Sequence, residues 1–299
     1  MTGYYNLTRR NCKLFFKDKG LFFSSLITPV ILLVLYVTFL AKVYRDSFYG
    51  ALPASFAVKE SLIDGMVGAQ LISSLLAVSC VTVAFCSNLI MIQDKVTGAY
   101  RDLTVSPVKR SVTALAYFTA SAAVTLIISV TALGVSLIYL AVKGWYLSLG
   151  DVLLILLDIT LLTLFGTALS SCVNFPLKTN GQASAVGTIV GAGYGFICGA
   201  YMPISNFSPA LQKVLSFLPG TYGTSLLRSH SMRGVFAEMK DSGFPAETVK
   251  MIRESVDCSI SFFNHNVSDT AKLLVLAGAV LLFAAVYVLL NKYCRTENR

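Results

Sequence analysis

Few residues in this chain could do chemistry, and they do not gather into a site. Asp158 stands alone about two turns inside an apolar run. His230 and His265 are the only histidines, far apart in sequence, and the seven cysteines (Cys12, Cys80, Cys86, Cys172, Cys198, Cys258 and Cys294) are scattered. No Cys-x-x-Cys or Cys/His spacing suits a metal, so no metal site is expected. No Ser/His/acid set and no paired acids at the end of a span offer catalysis. The nearest approach to a nucleotide-binding Gly-x-x-x-x-Gly-Lys-Ser/Thr is Lys178-Thr179, with Leu177 where the glycine is required. The sequence therefore contains no candidate catalytic residue. The histidines read as surface-loop residues. A carboxylate inside an apolar helix is costly, and two readings of Asp158 stay open. It is a gating or substrate-contacting group, or it is a packing residue bonded to a neighbouring Ser, Thr or backbone carbonyl.

The elements that carry these residues are apolar. Of 299 residues 55% are hydrophobic and 13% charged, and the mean hydropathy is +0.70, which excludes the soluble classes and predicts an integral membrane protein. The formal charge of +9 could suggest nucleic acid, but the cations flank the apolar runs, where they set topology and meet anionic lipid. No nucleic-acid partner is expected. Apolar runs at about 21–41, 66–92, 111–142, 152–173, 183–200 and 271–290 predict an all-α fold of six transmembrane helices. Pro29 is tolerated as a kink in the first, and 42–65 reads as a short external loop.

Before the first span, residues 1–20 place Arg9, Arg10, Lys13 and Lys17 on one arc of a helix, with Tyr4, Leu7, Leu14 and Phe15 roughly opposite. Such a helix lies in the membrane interface, its cations toward lipid headgroups or a partner. Cations also collect in the 93–110 loop, at Lys178, and at Lys292, Arg295 and Arg299. With six spans all of these fall on one side, which the positive-inside rule makes cytoplasmic, so both termini are expected in the cytoplasm of a cell membrane.

Gln93 to Arg110 is the most polar short segment. Val96, Tyr100 and Leu103 form one helical stripe, and Asp94 and Arg101 share the adjacent polar side. Gly98 is expected to weaken this helix without ending it. Ser106 offers an N-cap and Pro107 suits the first position of the next helix. An ordinary solvated loop is the other reading. Further on, Ala183, Gly187, Gly191, Gly195 and Gly199 repeat at four-residue spacing, a small-xxx-small pattern for close helix packing. In the external stretch 201–270, Ser208-Pro209 can cap one short helix and Pro219-Gly220 breaks it. Thr221 to His230 can form a second, giving a re-entrant hairpin before the last span; a loop lying on the surface is the other reading. Met232 to Asp269 then reads as a soluble insertion, with Phe244, Val249, Ile252, Val256 and Ile260 on a small amphipathic helix.

Gln93-Asp-Lys-Val-Thr-Gly98 and Asp102-Leu-Thr-Val-Ser-Pro107 together resemble the acidic-x-x-x-Gly, Leu-x-x-Ser-Pro signature after the second span of type-2 ABC-transporter permeases. Asp94 stands where many members carry Glu. Gly199 to Pro203 and Pro219 to Tyr222 likewise resemble the family's Gly-x-x-x-Pro and Pro-x-x-Tyr elements. The resemblance implies a coupling helix (Asp94, Val96, Gly98, Tyr100, Arg101, Asp102, Leu103, Ser106, Pro107) docked on an ATPase subunit. There Val96, Tyr100 and Leu103 fill an apolar groove while Asp94, Arg101 and Asp102 set orientation. It implies an external gate hairpin with Gly199, Pro203, Phe207, Pro209, Pro219 and Tyr222. It also implies a second permease chain, in a homodimer or heterodimer, and ATP and Mg held by the partner nucleotide-binding subunits, with no cofactor on this chain. Such permeases of the bacterial plasma membrane export drugs, peptides or lipid-like compounds. Export of a lipid-linked polysaccharide is the alternative, for which Tyr117, Phe118, Tyr139, Phe165, Tyr194 and Phe196 could stack on sugars. An ion-coupled secondary transporter would need an internal repeat, and the sequence contains none.

Overall fold

The computed structural model describes residues 2–51, 59–262 and 265–293. Cys294, Arg295 and Arg299 lie outside the described residues, as does part of the 42–65 loop.

Helix α1 (Thr2–Lys17) lies along the start of α7 (Arg110–Lys143). The Tyr4 hydroxyl donates to Thr119 Oγ1 at 2.8 Å, and Phe15 is fully buried. Asp18 then accepts from the Leu21 N–H at 3.1 Å and caps α2 (Lys19–Leu35). Pro29 sits inside α2 without ending it. A π turn at Tyr36–Leu40 passes directly into α3 (Ala41–Ala51). The helix thus outruns the apolar run 21–41, and most of the expected external loop is helical. Arg45 of α3 explains this, because it pairs with Glu60 at 3.3 Å and with Asp64, both at the start of the next helix. Charged residues that read as loop are held in helix by partners distant in sequence.

Helix α4 (Glu60–Ser87) is the central element. In its span 83% of the most apolar stretch is buried, against 18% in the span that contains α2. It touches α2, α7, α8 (Leu149–Asn174), α9 (Asn180–Ile197) and α11 (Pro219–Asp241). Three of its hydroxyls return to their own helix, Ser73 to Gln70 O, Ser79 to Leu75 O and Thr82 to Val78 O. These three are satisfied without an outside partner. Gly166 lets α8 lie directly on α4, since a Cβ there would stand 2.8 Å from the Cys80 carbonyl oxygen. Helix α8 itself starts at a reciprocal cap between Ser148 and Asp151.

Among the described residues five helical stretches are long and apolar enough to cross a bilayer: Lys19–Gly50, Glu60–Thr97, Arg110–Lys143, Leu149–Asn174 and Asp269–Tyr293, the last being α13. The chain is an all-α, multi-pass membrane protein. Helix α9, on the run read as the fifth of six spans, is not among them, because its glycines and Asn180, Gln182 and Ser184 dilute its apolar character.

After α9 come α10 (Pro209–Leu215) and α11. Helix α11 starts at Pro219 but runs past His230 to Asp241, through the beginning of the expected soluble insertion. Its polar residues are helical because α4, α8 and α13 enclose them, with Gly220 to Met232 buried. Helix α12 (Ala246–Ser255) lays Val249 and Ile252, with Phe244 and Val256, into a cluster shared with Phe48 of α3 and Met66 of α4. A two-residue pairing, β1 (Ser261–Phe262) with β2 (His265–Asn266), precedes α13.

Candidate functional site

Beyond α4 stands Asn88, whose amide donates to Ser170 and Ser171 Oγ of α8 at 3.1 and 2.8 Å. Helix α5 (Leu89–Thr97) ends at Gly98, and α6 (Ala99–Val105) begins there. Gly98 has φ +85°, a left-handed conformation that glycine adopts freely. The expectation of one weakened helix is corrected: Gly98 ends it and makes an elbow of two. Ser106 is not an N-cap either. Its hydroxyl donates to Leu103 O at 2.7 Å, closing α6, and α7 starts at Arg110 after an extended Lys109. Pro107 lies in the link between them.

The elbow's stripe divides in two. Tyr100 and Leu103 are half-buried on the chain's own core, beside Phe15, Tyr117 and Tyr287. Val96 and Val105 face outward, 46% and 87% exposed, with Arg101 and Asp102 exposed beside them. Asp94 is turned inward. Its carboxylate takes two bonds from the Arg10 guanidinium, at 2.6 and 2.8 Å, and one from the Tyr117 hydroxyl. The bond to Asp94 holds Arg10 above its ordinary pKa. Arg9, Lys13 and Lys17 remain exposed on α1, so the four cations do not act as one row. Lys95 donates to the carbonyls of Phe175 and, at 3.2 Å, Leu177, which ties the elbow to the α8–α9 link.

A groove of about 720 Å³ runs along α2, between it and α4, α5 and α9. From Ser24 to Leu40 it follows roughly 24 Å of helix, most of a bilayer's hydrocarbon thickness. Among the described residues none that lines it carries a formal charge. Ile27, Ile31, Phe85 and Phe196 give apolar surface and Thr28 and Thr188 give hydroxyls. Of the aromatic residues named as sugar platforms, only Phe196 lines it. Tyr117 is bonded to Asp94, Phe118 is stacked on Tyr287 and Phe165 packs on Phe283.

The glycine stripe divides as well. A Cβ on Gly191 would stand 3.2 Å from Thr28 Oγ1, and one on Gly195 would enter the Tyr201 ring, whereas Gly187 has nothing within 4 Å. Gly199 leaves the helix altogether, at φ +75°.

At the end of the bundle away from the elbow, polar groups are joined through Arg228, which is fully buried. Its guanidinium donates to Gly199 O at 2.6 Å, Val256 O at 3.1 Å, Asp257 at 3.3 Å and Ser74 Oγ at 3.3 Å. Asp257 in turn accepts from the N–H groups of Ile204 and Ser205. Arg228 thereby binds α4 and α11 to the loop after Gly199, where Pro203 is buried. Phe207 is half-buried and Pro209 opens α10. Pro219 opens α11, and the Tyr222 hydroxyl bonds back to Ser216 O at 2.6 Å. Sequence reasoning missed Arg228. The one hint was a lone arginine among Gly223, Thr224, Ser225, Ser229 and Ser231, small residues that let it be enclosed. His230 is also misplaced as a surface residue: it is 9% exposed, and its Nδ1 lies 2.6 Å from Asp158 Oδ2. The partner of Asp158 is thus a histidine across helices and not the neighbouring Ser, Thr or carbonyl of the packing reading. Lys272 is buried too, bonded to Cys258 O and Asp269, each at 2.8 Å.

No curated protein matches the chain. The family model of the ABC-2 type transporter matches residues 2–231, from α1 through the elbow and the groove to the buried pair of His230. That match takes in most of the 299 residues, and the chain belongs to the ABC-2 type transporter family, whose membrane domain is a transport permease.

Proposed function

We propose that this ABC permease chain works as a six-span subunit of an ATP-driven exporter. Two such chains, identical or closely related, pair with two nucleotide-binding ATPase subunits that hold ATP and Mg. The elbow is the docking element and lies in the cytoplasm, as do both termini, and α10–α11 form the external hairpin. The observation that carries this reading is the elbow itself. A glycine-hinged pair of short helices continues the most enclosed span, presents Val96, Arg101, Asp102 and Val105 outward, and reaches α8 and α9 through Lys95. A push on the elbow has a mechanical path into the bundle.

The groove supports the substrate class. With no charged residue in its lining and hydroxyls among apolar side chains, it suits an amphipathic drug, peptide or lipid-like compound over a long glycan. Gly187, open on α9, and the exposed apolar face of α2 suit a second permease chain closing over it.

The test is gentle extraction of the tagged chain from its native membrane, followed by an ATPase assay. The expected result is stoichiometric recovery of a nucleotide-binding subunit, with turnover stimulated by amphipathic compounds. Recovery of the chain alone, without ATPase, would move the reading to an ion-coupled transporter.

A further inference from the structure

A second groove, of about 570 Å³, lies between the first turns of α7 and the last turns of α13 and shares no residue with the first. Ala114, Leu115 and Phe118 form one wall, and Ala284 and Val288 the other. Tyr287 is the floor, stacked on Phe118 at 6.4 Å and bonded to Ala114 O at 3.3 Å. At the elbow end the character changes. The mouth is Arg110 and Ser111 on α7 and Asn291 and Lys292 on α13.

The charges at this mouth are one-sided. Among the described residues no acidic residue lines the groove, and the first turn of α7 contains none. Among the described residues neither Arg110 nor Lys292 makes a salt bridge. Lys292 rests over the Tyr293 ring, 5.0 Å from its centre, at the height where aromatic and basic residues meet the membrane surface. From Arg110 to Phe118 the apolar part follows about two turns of helix, roughly 12 Å, within the ~15 Å depth of one leaflet. Two cations over an apolar slot of leaflet depth match an anionic head on an acyl chain. A soluble anion would leave the slot unused, and an apolar helix would leave the cations unmatched.

We propose that the α7/α13 groove binds one anionic phospholipid of the leaflet at the elbow end. Its phosphate lies between Arg110 and Lys292, and one acyl chain runs past Ala114 and Ala284 to Phe118. The bound lipid sits directly on the cluster that also seats Tyr100 and Leu103 of the elbow, so it braces α6. This inference needs only the membrane setting of the chain and is independent of what is transported.

The test is titration of the purified full chain in detergent with phosphatidylglycerol or phosphatidylcholine, read by native mass spectrometry. One phosphatidylglycerol is expected to bind in preference to phosphatidylcholine. R110Q/K292Q should weaken it about thirtyfold, from about 1 kcal/mol for each cation at a membrane surface. K143Q/K240Q, exposed cations at the other end, should leave it unchanged. A284W fills the slot without touching charge and should also expel the lipid. Equal binding of the two lipids overturns the proposal, as does wild-type binding by R110Q/K292Q. Wild-type binding by A284W overturns it too, leaving an anion site without a tail.

Discussion

Arg10 and Asp94, 84 positions apart, meet through two hydrogen bonds of 2.6 and 2.8 Å, and Tyr117 completes the carboxylate's shell. Three helices, α1, α5 and α7, converge on one side chain. Helix α1 is therefore latched to the elbow. R10A removes both bonds and leaves Asp94 enclosed. It is expected to cost about 1.5–3 kcal/mol, toward the lower figure because Arg10 is partly exposed. R10K keeps the charge without the fork and should recover only part of it. Thermal unfolding of the purified variants reads this, and an R10A transition matching wild type would remove the latch.

A Cβ added at Gly98 would have nothing within 4 Å of it, so the cost of a side chain there is purely the backbone's. Gly98→Ala should cost about 1–2 kcal/mol at φ +85° and favour one continuous helix in place of the elbow. Asn tolerates this conformation, so Gly98→Asn should stay near wild type. Substrate-stimulated ATPase of the reconstituted complex is the readout. Equal loss in both variants would point to bulk, not backbone, as the cause.

If the elbow docks the ATPase as proposed, the two halves of its stripe separate docking from folding. Val105→Asp, on a residue 87% exposed, should release the ATPase during purification while leaving the melting temperature of the chain unchanged. Tyr100→Asp should lower that temperature, because Tyr100 packs on Tyr287 and its neighbours. Retention of the ATPase by V105D would show that this face is not the docking surface.

The buried pair of Asp158 and His230 has a distinct signature. His230→Leu leaves an acid with no partner inside the bundle and should destabilise by about 3–5 kcal/mol. D158L/H230L removes both polar groups and should be the more stable of the two variants. A double variant worse than H230L would mean that the pair is held for geometry that leucines cannot reproduce.

Much of the fold was legible because a span is announced by its own residues: each apolar run lies largely within a helix. Helix ends were harder to read, since they depend on distant partners. Arg45 extends α3 by pairing with Asp64, and α11 continues to Asp241 because α4, α8 and α13 surround it. At the elbow the composition of the stripe was readable, but its division was not. Whether Tyr100 faces a partner or its own core depends on a left-handed Gly98, and glycine gives no sign of which conformation it takes. Asp158 was singled out by its cost in an apolar run. His230 was not, because nothing local distinguishes a histidine in a loop from one enclosed on α11.

The enclosure of α4 also bears on how such a protein can change over generations. Bordered by α2, α7, α8, α9 and α11, and open to the groove only through Thr82, Phe85 and Cys86, it has little surface on which a larger or smaller side chain goes unnoticed. Helices α2 and α9 border the groove with much of their surface free. A lineage adapting to a new cargo has its latitude there, and α4 should drift slowest, whatever is carried past it.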